Sequence, residues 1–389
     1  ESLIMIPRIQ FRYLREIFIA IGFSSNLLGY LLGNFSFSKI IMLIVIVFLL
    51  KLSINNGFKI LFNTKIVLPI IFLLFIFIVS FLKYDYLYTQ TYFVYFLLYS
   101  IFSILSFQEK IHFSKVLEYL SIILFLSIPL AIRPQDYDIG YLLGLSYNFL
   151  TGYLTAIYLL FFNKEKKSIF VILICVINLF IYSYFYVFLG NRGAILLIVI
   201  YLFLKWYLTL NKSIIGRVVQ FFSAIISIFI IQNWIQLLIW LNNFLQSLGL
   251  NIYAIEKTIN LLISNQNIDS GRNFLVNKLF TLVDFDDLFF GKGIGFIETT
   301  LGIYSHNLFV QSLFEGGIYF SIFLLYVLFK LFSIFAKEKT WFANFVLLAT
   351  VSVMGQLMLS NVYWLNPIFW FLFYLVFFTR EYLEGDKVC

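Results

Sequence analysis

A short stretch in the C-terminal third of the chain gathers the residue types that could carry chemistry. It contains the run Gly291 to Gly295, which includes Lys292, then Ser305-His306-Asn307, and then Glu315-Gly316-Gly317. His306 is one of only two histidines in an otherwise strongly apolar sequence. Ionisable residues are costly beside a bilayer and mark functional sites there by default. This stretch is therefore the first candidate for a site.

His306 is placed to act on a proton. Ser305 is a good helix N-cap, which predicts that a long helix begins here with His306 in its first turn. The positive end of the helix dipole would keep the imidazole neutral, and a neutral imidazole can accept a proton from an attacking hydroxyl group. The alternative is a capping histidine with a structural role. His112 is expected to be solvated in a cationic loop.

Glu315 follows His306 by about two and a half helical turns. A carboxylate inside a membrane helix needs a partner or a water-lined cavity, and Arg192 or Arg272 could supply the partner. The sequence leaves open whether such a pair is structural or functional. The run that includes Gly293 and Gly295 predicts either a tight turn or part of a pocket wall. A nucleotide loop is excluded, because that motif requires a strand leading into a helix.

Three arginines stand beside glycine or proline, in Arg133-Pro134, Arg192-Gly193 and Gly271-Arg272. Taken singly, each could contact lipid headgroups from a helix end. All three are predicted on the same side of the membrane as His306, which favours a shared function. The acidic group Asp284, Asp286 and Asp287 could hold a divalent ion on a diphosphate. The arginines can neutralise the charge of the diphosphate without a metal ion, so we predict no metal site and no cofactor.

The elements that must position these residues are membrane helices. The chain is 62% hydrophobic and 12% charged, and it lacks the alternation of apolar and polar residues found in membrane β-barrels. The fold class is therefore an all-α polytopic membrane protein. Its long apolar runs predict about twelve membrane-spanning helices, at residues 14–33, 38–53, 66–82, 91–107, 115–132, 141–162, 168–189, 193–210, 214–240, 305–333, 341–360 and 363–379.

The distribution of charge predicts the topology. Lys and Arg recur in alternate loops, which by the positive-inside rule are cytoplasmic and share their side with both termini. The net charge of +8 thus reflects topology, and no nucleic-acid partner is expected. We predict a single membrane domain, 1–389, with one large external loop at 241–304. An amphipathic helix at 241–263 and a second helix, capped by Ser270 and carrying Arg272, are predicted within this loop.

The motifs occur in an order and spacing that resemble a known family. Ser270-Gly271-Arg272, the glycine run from Phe290, His306-Asn307 and Glu315-Gly316-Gly317 follow Asn191-Arg192-Gly193-Ala194. Together they resemble the O-antigen polymerase and O-antigen ligase superfamily, integral-membrane glycosyltransferases of the GT-C type. The motifs cover about residues 190–320, and the topology is similar along most of the chain. Phe320 departs from the family pattern, which often has a small residue there.

The resemblance implies an activity and a location. The substrate would be a glycan on undecaprenyl diphosphate, presented at the periplasmic face of a bacterial inner membrane. Arg192 and Arg272 would bind the diphosphate, with Arg133 as a further candidate, and His306 would be the catalytic base. Asn307, Glu315, Gly293 and Gly295, which belong to the shared motifs, would support the site. A chain-length regulator would be a further partner.

Three functions stay open at this point. The leading interpretation is an O-antigen polymerase, which moves the growing chain onto the next lipid-linked repeat unit. An O-antigen ligase, which transfers the finished chain to lipid A–core, would use the same residues. A flippase or other transporter would instead place charge at the membrane midplane. The conspicuous charges are predicted at one face, which favours an enzyme.

Overall fold

The structure is a computed structural model that describes residues 13–54, 64–83, 87–108, 110–132, 139–163, 165, 167–189, 191–209, 216–219, 221–222, 225, 232–249, 252–263, 272–337 and 340–385. Within these ranges every regular element is helical. Seven of the helices are long and apolar enough to cross a membrane. The prediction of an all-α membrane protein is confirmed at this level.

The first part of the bundle lies before residue 210. Its helices are α1 (Leu14–Phe23), α2 (Ser25–Leu31), α3 (Phe37–Ile54), α4 (Thr64–Lys83), α5 (Leu87–Ser106), α6 (Phe113–Leu126), α7 (Ile128–Ile132), α8 (Ile139–Ile157), α9 (Ile169–Phe188) and α10 (Arg192–Thr209). A π-helical turn, Tyr158–Phe162, continues α8.

The second part carries most of the motifs. Its helices are α11 (Trp234–Ser247), α12 (Tyr253–Ile263), α13 (Arg272–Phe280), α14 (Phe285–Phe290), α15 (Phe296–Leu301), α16 (Leu308–Lys337), α17 (Trp341–Ala349), α18 (Gly355–Leu359) and α19 (Pro367–Gly385). A π-helical turn, Thr350–Met354, joins α17 to α18, and a 3₁₀ turn, Tyr363–Leu365, precedes α19.

The seven candidate spans do not cover every predicted one. They are Phe37–Ile54, Leu87–Ser106, Tyr141–Phe162, Ile169–Phe188, Arg192–Thr209, Leu308–Ala336 and Trp341–Leu359. Two shorter apolar helices, Ile66–Leu82 and Pro367–Phe378, also match predicted spans. The predicted span 214–240 lies largely outside the described residues. The count of about twelve and the side of the large loop remain predictions.

Two predicted spans are broken by serines. The span 14–33 divides at Ser24 into α1 and α2, and the span 115–132 divides at Ser127 into α6 and α7. The second break has a clear cause. Pro129 has no amide hydrogen to continue the ladder, and the Ser127 hydroxyl donates to the Leu124 carbonyl, 2.7 Å away.

The predicted loop 241–304 is mostly helical and differs in detail from the prediction. Its first residue lies inside α11, and the single amphipathic helix predicted at 241–263 is two helices. Gly249 separates them, because its φ of 73° is a left-handed conformation that ends a helix. The second predicted helix is confirmed as α13, whereas its predicted cap, Ser270, lies outside the described residues.

The core is built around α19. Every residue from Phe369 to Leu375 is fully buried, and the helix packs against α1, α4, α5 and α16. A helix that is apolar on all sides belongs in the centre of a bundle. By contrast, α3 exposes an apolar stripe that includes Ile40 and Val47, as expected for a helix facing lipid. The central position of α19 fixes the segment just before it, which borders the candidate site.

Candidate functional site

The helix α16 is interrupted at Gly317, and the glycine run fills the break. Gly317 has φ 75° and ψ −175° inside an otherwise helical segment. In a regular helix, the carbonyls of Phe314 and Glu315 would accept hydrogen bonds from the backbone amides four residues later, and the break at Gly317 interrupts this pattern. The Lys292 amide donates to the Phe314 carbonyl at 2.7 Å, and the Gly293 amide donates to the Glu315 carbonyl at 3.1 Å. Two motifs that are separate in sequence therefore form one unit.

The glycines of this unit are required by close backbone approach. A Cβ added at Gly317 would lie 2.0 Å from the Phe289 carbonyl oxygen, and one added at Gly291 would lie 2.5 Å from the Glu315 carbonyl oxygen. Both glycines also have positive φ values. Beside them, Gly316 lets Phe320 pack closely against the backbone, since an added Cβ there would lie 2.8 Å from the Phe320 Cβ.

The amides of the glycine run are all used within the protein. Besides the two contacts above, the Gly291 amide donates to the Asp287 carbonyl, the Ile294 amide donates to the Ser80 hydroxyl, and the Gly295 amide faces a Glu315 carboxylate oxygen at 3.4 Å. An anion site would need amides that point at a ligand. The amides of Gly293 and Gly295 therefore pack the turn against α16, and their support of a functional site stays a prediction.

Glu315 is fully buried beneath this turn and is surrounded by neutral donors. Its carboxylate accepts hydrogen bonds from the Tyr363 hydroxyl, from the Trp364 indole nitrogen at 2.8 Å and from the Gln311 amide nitrogen at 2.6 Å. These groups satisfy the carboxylate with neutral donors from α16 and from the segment before α19. Glu315 consequently anchors the 3₁₀ turn to α16.

A second buried carboxylate, Glu298, lies next to the first. Its Oε1 accepts from the Tyr92 hydroxyl at 2.8 Å and from the same Gln311 nitrogen at 2.9 Å. Its Oε2 is buried with no hydrogen-bond partner among the described residues. Burial raises the pKa of the Glu298 carboxyl above its usual range. One amide group thus bridges two buried acidic side chains.

The His306 loop differs from the prediction at its cap. α16 begins at Leu308, and the Asn307 side chain caps it by accepting from the amides of Phe309 and Val310 at 3.0 and 3.2 Å. The prediction that Ser305 is the cap is wrong. The Ser305 hydroxyl instead donates to the Asn307 carbonyl and accepts from the Asn307 amide. These two contacts close a short loop around His306. His306 itself has φ 57°, the left-handed region that non-glycine residues rarely adopt.

Tyr304 links His306 to the segment that follows α18. The rings of Tyr304 and His306 lie 4.3 Å apart between centroids. The Tyr304 hydroxyl donates to the Ser360 carbonyl at 3.0 Å. His306 is partly exposed, and one side of its imidazole packs against the Tyr304 ring.

The helix that begins with Arg192 packs against the same segment through Gly193. This helix, α10, is capped by Asn191, whose side chain accepts from the Gly193 amide. Gly193 packs against Leu359, since an added Cβ would lie 3.3 Å from the Leu359 Cδ1. Leu359 is followed directly by Ser360. The Asn-Arg-Gly motif and the His306 loop are therefore joined through adjacent residues.

The helix that carries Arg272 docks onto the same assembly. In α13, Leu279 is fully buried and forms a small apolar cluster with Phe296, Ile297 and Phe314. The backbone of Arg272 begins this helix, and its side chain lies outside the described part of the structure. Arg133 also lies outside the described residues.

The acidic group after α13 has a structural role in the described contacts. Asp284 precedes α14, and its amide donates to the Asp287 carboxylate at 3.0 Å. The same carboxylate forms an ion pair with Lys292 at 2.6 Å. This pair ties α14 to the glycine run.

Sequence reasoning missed several residues of the assembly. Gln311 could have been recognised, because it precedes Glu315 by four residues and so shares its helix face. Glu298 offered a weaker signal as an isolated acid just after the glycine run. Tyr92, Tyr363 and Trp364 carry no sequence signal, since aromatic residues make up 21% of the chain.

Comparisons with known proteins give no independent identification. A scan of protein-family models, a search of curated proteins and a search of solved structures each found no match.

Proposed function

We propose that this chain is an O-antigen polymerase. It would transfer a growing glycan from undecaprenyl diphosphate to the non-reducing end of the next lipid-linked repeat unit at the periplasmic face. The observation that carries the proposal is that the neighbours of Arg192 and His306 meet at consecutive residues: Gly193 packs against Leu359, and the Tyr304 hydroxyl donates to the Ser360 carbonyl. The backbones that carry a candidate phosphate-binding residue and a candidate base thus lie near one segment.

The chemistry follows from these residue types. Each guanidinium group, of Arg192 and of Arg272, can donate two parallel hydrogen bonds to phosphate oxygens. Both groups stabilise the negative charge that develops on the diphosphate as the C1–O bond of the donor breaks. The acceptor hydroxyl attacks C1, and His306 takes its proton. The lipid diphosphate departs as the leaving group, so the reaction needs no nucleotide. Neither a metal nor a cofactor is part of the proposal.

The remaining parts of the proposal concern topology and partners. The chain would cross the bacterial inner membrane about twelve times, with both termini in the cytoplasm and the 241–304 segment in the periplasm. Arg133 would be a further phosphate-binding residue, and Asn307 would hold the His306 loop at the N-terminus of α16. A chain-length regulator would bind the enzyme in the membrane.

Deletion of the gene tests the function. A polymerase deletion leaves lipid A–core capped with a single repeat unit, because ligation continues. Plasmids that express the wild type, His306→Ala or His112→Ala are then introduced. The wild type and His112→Ala should restore the polymer ladder, whereas His306→Ala should extend chains about 10²–10⁴-fold more slowly. The readout is the banding pattern of lipopolysaccharide, with the amount of membrane-inserted protein measured in parallel.

Other outcomes would point elsewhere. Bare core with polymer accumulating on the lipid carrier would identify a ligase. A ladder restored by His306→Ala would make His306 a structural residue and remove the proposed base. Loss of lipid-linked repeat units from the periplasmic face would identify a flippase.

A further inference from the structure

We propose that Gln311 is a positioning residue that holds the His306 loop against the buried pair Glu298 and Glu315. The proposal rests on the proposed function only in treating His306 as the reacting group, since the holding contact itself concerns the geometry of the loop.

Gln311 uses both ends of its amide group. The carbonyl oxygen accepts the Ser305 backbone amide at 3.2 Å, and the nitrogen donates to Glu298 and Glu315 at 2.9 and 2.6 Å. The side chain is 2% exposed. An amide has two N–H groups and so can serve both carboxylates at once, whereas a carboxyl or hydroxyl group in its place can donate only one hydrogen.

The two carboxylates are held by other elements. Tyr92 of α5 donates to Glu298, and Tyr363 and Trp364 before α19 donate to Glu315. Because these donors belong to the packed bundle, the Gln311 nitrogen is bound to a rigid surface. The other end of the amide is then a fixed acceptor for the His306 loop.

The loop depends on that acceptor. His306 has a left-handed backbone at φ 57°, which carries a conformational cost for a residue with a Cβ. The contacts between Ser305 and Asn307 close the loop around His306, but they lie within the loop. Two described hydrogen bonds connect the loop to the bundle, from the Tyr304 hydroxyl to the Ser360 carbonyl and from the Ser305 amide to Gln311. The second is the one directly next to His306. Without Gln311, the loop can relax and the imidazole can leave the Tyr304 ring.

The chain suits a direct test, because it contains only two histidines. Diethyl pyrocarbonate modifies neutral imidazoles, and peptide mass spectrometry gives separate rates for His306 and for exposed His112. The purified full chain in lipid nanodiscs is treated across a pH series. For each histidine, the modification rate reached at high pH measures the accessibility of the neutral imidazole. The pH at which the rate is half of this plateau measures the protonation of that imidazole. His112 is the internal reference.

Gln311→Met keeps the volume and removes both ends of the contact. We expect its plateau rate ratio, His306 to His112, to rise about tenfold, the change that loss of one hydrogen bond allows. Gln311→Asn keeps a buried amide but is one carbon too short to span the contact. We expect the same direction of change, in a variant more certain to fold. Asn178→Met is the matched control, because Asn178 is a fully buried amide that donates to the Ser121 carbonyl in the α6–α9 interface.

A ratio that stays within about twofold of wild type in both Gln311 variants would overturn the proposal, since a lost anchoring hydrogen bond should change it more. An equal rise in Asn178→Met would also overturn it, because the effect would then be general loosening of the bundle. The proposed function is judged separately in the deletion strain. If the reactivity changes as expected while wild-type plasmid fails to restore polymer, Gln311 keeps its role and the assigned function is wrong.

Discussion

At the residue scale, Arg192 and His306 differ in how firmly they are held. Arg192 is fixed by its place in the first turn of α10, whose cap and glycine pack against Tyr147 and Leu359. His306 sits in a loop closed by its two neighbours. In the proposed reaction, Arg192 would bind phosphate from this fixed position, whereas His306, the proposed base, would depend on the Gln311 contact that holds its loop.

Replacing Arg192 by lysine tests whether the planar guanidinium group is needed for chain extension. Lysine keeps the positive charge and loses bidentate binding to phosphate. We expect chain extension to fall about 10–100-fold, corresponding to loss of one charged hydrogen bond, with insertion unchanged. The polymer ladder in the complemented deletion strain is the measurement. Arg217→Lys is the matched control, because that side chain is exposed and is predicted on the cytoplasmic side. Equal ladders from both variants would contradict the assignment.

At the scale of elements, the break in α16 is the feature that organises the site. It opens two carbonyls to the glycine run and places Glu315 beside the 3₁₀ turn. A side chain at residue 317 would collide with the Phe289 carbonyl, so the break requires glycine or a shift of the backbone of α14.

Gly317→Ala is expected to destabilise the protein strongly. The backbone of Gly317, with φ 75° and ψ −175°, lies in a region that is almost reserved for glycine and costs an L-residue about 1–3 kcal/mol, and overpacking adds about 1–3 kcal/mol. Gly302→Ala is the control for a positive φ without a close neighbour, since Gly302 has φ 72° and ψ 1° and nothing lies within 4 Å of an added Cβ. We expect that variant to lose only the cost of the left-handed conformation, about 1–2 kcal/mol. The fraction that remains monodisperse in size-exclusion chromatography after heating is the measurement. Similar curves for the two variants would contradict the packing argument.

Much of the helical architecture could be predicted, because apolar length alone indicates a membrane helix. The site could be predicted only in part. Gly291, Gly293 and Gly317 each indicate a turn in the sequence. The contact between the run 291–295 and the break at Gly317 is a tertiary contact, which the sequence does not show. The cap at Asn307 instead of Ser305 illustrates the same limit, since both residues are good caps and the choice depends on where the loop is anchored. The Tyr363 and Trp364 donors could not be found among so many aromatic residues.

At the scale of the whole molecule, the predicted sidedness can be tested with single cysteines in a chain whose terminal Cys389 is replaced by serine. Ile303→Cys, next to the His306 loop and 39% exposed, should react with an impermeant thiol reagent in whole cells. Lys110→Cys, exposed in a predicted cytoplasmic loop, should react only after the membrane is disrupted. The buried Cys175 should stay unlabelled. The reverse pattern would place the His306 loop in the cytoplasm.

The central position of α19 has a consequence for biosynthesis. This helix follows all the other described helices in the chain, yet α1, α4 and α5 pack against it. Asn26 donates to the Leu365 carbonyl across 339 residues of sequence. The early helices therefore enter the bilayer without the surface that their inner faces are shaped to contact. Until ribosomal synthesis reaches α19, these helices can pack against one another but lack the helix at the centre of the bundle, which leaves their inner faces exposed to wrong partners and to proteolytic quality control.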